Sequence, residues 1–452
     1  MAEPRDARTK TKAIAAVAAV ALGSYALWRC STTRDGAGSV ETTSPASSAA
    51  RVEPKEASET AAGLVAPIAA SHVGEDVVVA ALDLSAKAVR VQRFGPKDEV
   101  VAEGIAFEDV SWSMDAELRV VAAPEGVGVT WRGLRSGDLV RQLVVLGPDL
   151  RRRGEPTDVG AASCATRDAL WFSDGARVLA RPWNGTESRF ELPKDEDGSL
   201  LCGQHAAFAM LEKGEATSLL RLGGEGGAPV TVMRERDFGE DEQRELAPYT
   251  VGDDVGVVRL AMSGALALRE VTGGTPGPLR TLTNAIPKDD DIVAVDASAR
   301  VVVIVYTEDV SELYAPTPEQ DVDLPPDALM VCTKVAALRI DRRTFEESIV
   351  ELSPGRCGYE VGPFFTGVVG DDVAVSWAER AAAAQTARAP IVGLAHALVS
   401  PEDAPRLSRV EQPADALAHA GCDANGCRAA ALIRREGADA MAPNVVKILR
   451  YR

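Results

Sequence analysis

Three observations predict an all-β repeat fold, a β-propeller of about seven four-stranded blades. Helical periodicity is nearly absent beyond residue 70. A Gly-acid-Asp turn feeding a valine-rich strand occurs as Val73-Gly74-Glu75-Asp76-Val77-Val78-Val79, as Val251-Gly252-Asp253-Asp254-Val255-Gly256-Val257 and as Val369-Gly370-Asp371-Asp372-Val373-Ala374-Val375. Weaker copies fill the intervals, at Ala123-Pro124-Glu125-Gly126-Val127, Thr166-Arg167-Asp168-Ala169-Leu170 and Gln204-His205-Ala206-Ala207-Phe208, so that units recur at about 40–50 residues, the period of a propeller blade.

The chain has 452 residues, 46% of them apolar and 26% charged, enough material for a large buried core. Average domain size would divide it into two or three units; the repeats replace that division with one closed array. A formal charge of -18 opposes a phosphate-binding surface, so no nucleic acid partner is expected.

At the N-terminus, Arg5, Arg8, Lys10 and Lys12 precede an uncharged apolar stretch from Ala13 to Trp28, the basic-then-hydrophobic order of a signal peptide or signal anchor. Residues 1–30 should therefore address the protein to a bacterial cell envelope, anchored in a membrane or exported to the periplasm or outer surface. The stretch lies near the lower limit of about 17 residues for a spanning helix. Leu27 and Trp28 before Arg29 favour an uncleaved interfacial end; cleavage after Ala26 and lipidation of Cys30 are the alternatives. Residues 31–70 are rich in Ser, Thr, Ala, Glu and Pro without apolar periodicity, the composition of a disordered tether.

Residues 71–452 form the expected propeller domain. In each repeat the turn residues supply unusual dihedrals and the β-branched residues a buried pleated face, giving a strand, a turn and a strand with further strands behind. The chain's last strand, Val445 to Tyr451, suits a blade completed by strands from both termini, which removes exposed edges. A stacked β-sandwich is the competing architecture. Val89-Arg90-Val91-Gln92-Arg93 and Ala337-Leu338-Arg339-Ile340-Asp341 resemble the outer-strand phrase of quinoprotein-like propellers, and the repeat as a whole looks like an exported bacterial propeller of quinoprotein-like or WD40-like type. The regular Thr-Gly and tryptophan pattern of the former is mostly lacking, as are the Trp-Asp ending of the latter and the Ser-x-Asp-x-Gly box of sialidase-like propellers. The resemblance therefore implies an architecture and no activity.

Beyond Cys30, the cysteines fall in neighbouring couples: Cys164 and Cys202, Cys332 and Cys357, Cys422 and Cys427. An exported chain meets oxidising conditions, so disulfides between neighbours are expected. Asn425-Gly426 between the last two marks a tight hairpin that sets their sulfurs opposite each other. Cys164 and Cys202 start successive repeat strands, where a bond would join adjacent blades. Zinc is the alternative, but no Cys-x-x-Cys pair or suitably spaced histidine supports it.

No catalytic or cofactor constellation emerges. His72, His205, His396 and His419 stand in apolar or strand contexts without a metalloprotease or nucleophile-elbow pattern. Asp237-Phe238-Gly239 lacks the partners of a kinase magnesium site, Gly223 to Gly227 opens no helix, and Asn184-Gly185-Thr186 suits a hairpin turn. Adjacent acids at Asp195-Glu196-Asp197, Asp289-Asp290-Asp291 and the repeated turns suit solvated loops; calcium is the one cofactor they could take.

The segment 307–328 is out of pattern, with Glu308, Asp309, Glu312, Glu319, Asp321, Asp323 and Asp327 accumulating beside an apolar Tyr314 and no basic residue. An insertion of this kind maps to a loop on one face of a repeat array, where a partner or cation would be met. Two functional classes follow: a non-catalytic scaffold tethered at the envelope that binds a protein, peptide or glycan, and an extracytoplasmic hydrolase using carboxylates at a central channel. Buried, convergent acids or histidines would favour the second.

Overall fold

The computed structural model describes residues 64–452, apart from Met114 and stretches 161–162, 174–176, 184–187, 192–196, 214–215, 223–228, 235–242, 288–291, 311–331, 358, 382–390 and 434–443. The signal segment, Cys30 and the tether up to residue 63 lie outside the described residues. So do Glu312, Tyr314, Glu319, Asp321, Asp323 and Asp327 of the acidic insertion.

The fold is a β-propeller, but with eight sheets rather than seven. Each is antiparallel and contiguous in sequence. Blade 1 runs through the strands Leu64–Val73, Asp76–Asp83, Ala88–Phe94 and Val100–Glu108. The inner strands of the following blades are Glu117–Ala123, Ser163–Ala165, Asp197–Cys202, Gln243–Val251, Ile292–Ala297, Tyr359–Val369 and Ala416–Asp423. Each inner strand touches the next, and the eighth touches the first, closing the ring. The miscount has a physical origin in uneven blades. Blade 3 is short, ending at Glu191 after an inner strand of 3 residues, Ser163–Ala165, whereas blade 6 extends from Ile292 to Cys357.

Eight apolar clusters fill the eight seams between blades, and strand parity assigns each side chain to one of them. In the second strand of blade 1, Val78, Ala80 and Leu82 pack toward blade 2. Val77, Val79 and Ala81 pack toward blade 8. In blade 6, Val302, Ile304 and Tyr306 face blade 5 while Val301, Val303 and Val305 face blade 7. A strand buried on both faces needs no polar alternation, which explains the uninterrupted apolar runs of the sequence.

Two further expectations are corrected. The first strand takes in residues 64–70, which composition assigns to the tether; within it Ala69 packs toward blade 2 and Ile68 and Ala70 toward blade 8. The terminal strand Val445–Tyr451 does not share a blade with the N-terminal part of the described chain, because it is the third strand of the eighth sheet, which has three strands among the described residues. The phrases likened to outer strands, around Val91 and Leu338, belong to third strands, one place in from the edge.

Candidate functional site

The repeated acidic turn joins the inner and second strands of blades 1, 5 and 7. Its glycines Gly74, Gly252 and Gly370 have φ of 57°, 60° and 66°, the left-handed region that favours glycine. The carboxylates are not simply solvated. Asp76 accepts from Arg93 Nε at 2.6 Å, Asp254 from the Gly273 amide at 2.9 Å and Asp372 from Arg406 Nη2 at 2.7 Å. Asp253 Oδ1 reaches into blade 4 and accepts from the amides of His205 and, at 3.0 Å, Ala206. Neighbouring tips are joined in the same way: Arg167 N donates to Gln204 O at 2.8 Å, and Gln204 N to Gly252 O at 2.7 Å. Ser298 Oγ donates to Asp371 O at 2.6 Å and Arg428 Nη1 to Gly74 O at 3.1 Å.

The inner strands are stapled too. Cys164 and Cys202 form a disulfide between blades 3 and 4, and Cys422 and Cys427 form one within the first hairpin of blade 8, both as expected. Register sets Cys332 opposite Cys357; the Cys357 side chain lies outside the described residues. Thr250 Oγ1 donates to Cys202 O at 3.3 Å, the Ala122 amide to Ser71 Oγ at 3.2 Å, and His72 Nδ1 to Ala420 O at 3.1 Å, each across a blade boundary.

A largely buried polar group lies between blades 7 and 8, with His419 its partly exposed member. Ser376 and His396 are 0% and 1% exposed, with 3.1 Å between Ser376 Oγ and His396 Nδ1. The His396 ring meets the Tyr451 ring edge-on at 4.6 Å, and Tyr451 Oη lies 3.0 Å from His419 Nδ1. Ser376 also hydrogen-bonds Tyr451. Assigning hydrogens so that each donor meets an acceptor gives one direction: His396 Nδ1–H to Ser376, Ser376 to Tyr451, Tyr451 to His419. His396 Nε2 has no hydrogen-bond partner among the described residues. Burial pushes His396 down to about 3 and His419 down to about 4, so both rings are neutral at physiological pH. Burial also raises the Tyr451 hydroxyl far above its usual range. A serine and a histidine in contact suggest nucleophile chemistry, but neither side chain reaches solvent and no carboxylate among the described residues orients the ring.

A half-buried acid occupies the seam between blades 6 and 7. Asp296, on the inner strand of blade 6, is pushed up to about 6 by desolvation, offset in part by the Ala297 amide and the Thr366 side chain of blade 7. Between blades 5 and 6, Glu270 Oε1 accepts from Tyr249 Oη at 3.0 Å and from Arg342 Nε at 2.9 Å.

Of the acidic insertion, Glu308 and Asp309 belong to the second strand of blade 6, Val301–Asp309. Glu308 is paired with Lys334 at 3.1 Å on the neighbouring strand, a base beyond the acidic run itself. His205 pairs with Asp168 at 2.8 Å on the tip face. Among the described residues no three metal-ligating side chains gather, and no helix is long and apolar enough to cross a membrane. Sequence reasoning placed His396 and His419 in apolar strand contexts but missed Ser376 and Tyr451 and the grouping of the four, which come from separate strands; the one local signal is a polar side chain inside an apolar run, as in Ile391–Val399.

No family model and no curated protein matches the chain. Among solved structures it is similar to a prolyl endopeptidase at 12% identity and TM-score 0.48, covering 82% of this chain and 53% of that one. It is similar to the β-propeller domain of the Trilobed protease from Pyrococcus furiosus at 11% identity and TM-score 0.41, over 70% of this chain and 91% of that domain. An oligogalacturonate lyase in complex with manganese is similar at 10% identity and TM-score 0.37, over 63% and 86%. These are likenesses of fold, and no activity passes through them.

Proposed function

We propose that the protein is a recognition scaffold of the cell envelope, a rigid propeller that binds a protein, peptide or glycan, with the acidic segment around residues 307–328 among its contact surfaces. One observation carries this reading: several ionisable groups at the seams engage partners across blade boundaries. Asp296 meets Thr366, His72 meets Ala420, and Glu270 joins Tyr249 to Arg342. Groups spent on holding blades in register suit a scaffold whose loops recognise something else. The disulfides agree with a non-cytoplasmic protein. Export through the N-terminal segment and a bacterial source belong to the proposal.

Cross-linking of the full chain in an envelope fraction, against a variant lacking residues 312–326, tests it. The expected result is a specific adduct weakened by the deletion. A hydrolytic activity toward peptides or glycans that disappears in Asp296→Asn would overturn the scaffold reading in favour of the enzyme.

A further inference from the structure

Connections of blades 6 and 7 enclose a cavity of about 400 Å³ on the tip face. Arg300, between the inner and second strands of blade 6, borders one side. Asp371 and Asp372, in the corresponding turn of blade 7, and the connection 400–406 between that blade's third and fourth strands form the rest. The connections around it, 298–301, 341–346, 370–372 and 400–406, all lie within the described residues. Their positions are fixed by hydrogen bonds: Arg339 Nη1 donates to Ser400 O at 3.0 Å and to Asp403 O at 2.6 Å, and Arg342 Nη1 to Ser298 O at 3.0 Å.

Four acids line the cavity against two arginines, and the arginines are already engaged. Arg300 Nη2 donates to Glu402 Oε1 at 3.0 Å and Arg406 Nη2 to Asp372 Oδ2 at 2.7 Å. The carboxylates of Asp371 and Asp403 make no hydrogen bond or ion pair with a described residue; only their backbone carbonyls are used. Behind the wall Arg339 is matched by Asp341 and Arg342 by Glu270, so the cavity keeps an excess of two negative charges. Acids alone would be solvated, but Ser400 lies among them. It is 8% exposed, and its hydroxyl has no hydrogen-bond partner among the described residues. A hydroxyl so enclosed is satisfied by what enters the cavity.

We propose that this cavity receives a basic side chain, lysine or arginine, from a partner protein. The inference rests on the scaffold reading and names a contact outside the acidic segment. The carboxylates of Asp371 and Asp403 supply the charge, and the Ser400 hydroxyl accepts a further N–H from the cationic head. A metal ion is a poorer match, because among the described residues no three ligating side chains converge.

The test titrates the full chain with a labelled synthetic peptide of alternating lysine and serine, followed by fluorescence anisotropy. A net charge of -18 attracts any polycation, so two double variants of equal net charge are compared. Asp371→Asn with Asp403→Asn alters the cavity, and Asp115→Asn with Glu155→Gln removes two exposed acids outside it. Expected are about tenfold weaker binding for the first pair, no change for the second, and about threefold weaker binding for Ser400→Ala. The peptide acetylated on its lysines should not bind, a test that leaves the protein unaltered. The proposal is overturned if both pairs weaken binding equally, which would make the attraction a property of the net charge, or if the acetylated peptide binds as well. It is also overturned if calcium displaces the peptide from the parent and not from the cavity variant, which would assign the cavity to a metal. A partner cross-linked at another surface would then leave the scaffold reading standing, whereas cleavage of the peptide by the chain would overturn that reading too.

Discussion

The seam between blades 3 and 4 and the seam between blades 8 and 1 do the same job by different means. The first joins blades consecutive in sequence and is nevertheless crossed by the Cys164–Cys202 bond. The second brings together residues hundreds of positions apart, yet it is held by the apolar cluster around Ala430 and Leu432, the contact of His72 with Ala420, and arginine bonds to Gly74 and Asp98. Ring closure thus depends on burial and fit, whereas a covalent bond reinforces a shorter, smaller blade. Opening of the ring is accordingly expected at the 8–1 seam.

Removing the bond with Cys164→Ser and Cys202→Ser should have the largest effect, a loss of about 3–4 kcal/mol by urea titration, because the closed loop spans a sequence separation of 38. Hydrogen exchange should then show blades 3 and 4 loosened and the 8–1 seam unchanged; equal loosening of both would break the contrast. Next comes Gly421→Ala, expected to cost about 2–3 kcal/mol. Gly421 has φ of 122°, and a Cβ there would collide with the His72 ring. Gly74→Ala is the control, with φ of 57° but nothing within 4 Å of its Cβ, and should cost about 1 kcal/mol. If both variants lose the same amount, the fit against His72 contributes nothing to closure.

These seams also show which features sequence could disclose. The cysteine couples and the Val-Gly-acid-Asp turns were legible because each is set by residues close in the chain: a tight turn at Ala424-Asn425, one residue before the position the Asn-Gly pair suggested, sets Cys422 opposite Cys427. The role of the turn was only half legible. Its acids suggest solvation, and nothing local tells that Asp253 accepts from amides of the preceding blade. Blade number escaped because strands buried on both faces carry no polar beat to count, and a three-residue inner strand such as Ser163–Ala165 leaves almost no trace. The Ser376–His396–Tyr451–His419 group escaped for a different reason. Its members belong to separate strands of two blades, so only the packing of blade 7 on blade 8 assembles them.

Proton linkage distinguishes the 7–8 seam from the 6–7 seam, and the two should respond to pH with opposite signs. His396 and His419 titrate at about 3 and about 4 when folded, below their ordinary value of 6.5. The unfolded chain therefore binds their protons first, and stability falls as pH drops from about 6.5 to about 4. His419→Gln, which keeps a partner for Tyr451, should flatten that slope by about one proton in urea midpoints measured across the range. An unchanged slope would mean that the ring is not buried in solution.

Asp296 runs the other way. Its folded value is about 6 against an ordinary 3.8, so the native state holds its proton more tightly; the cost of keeping it ionised is present above pH 6 and disappears as pH falls toward 3.8. Asp296→Asn should therefore stabilise the protein on the order of 1 kcal/mol at pH 7.5 and hardly at all at pH 4. A gain at both values would point to altered packing rather than a relieved charge. A loss at pH 7.5 would show that the ionised carboxylate and Thr366 hold blades 6 and 7 together, and that the 6–7 seam, unlike the 8–1 seam, depends on a polar contact that its apolar cluster cannot replace.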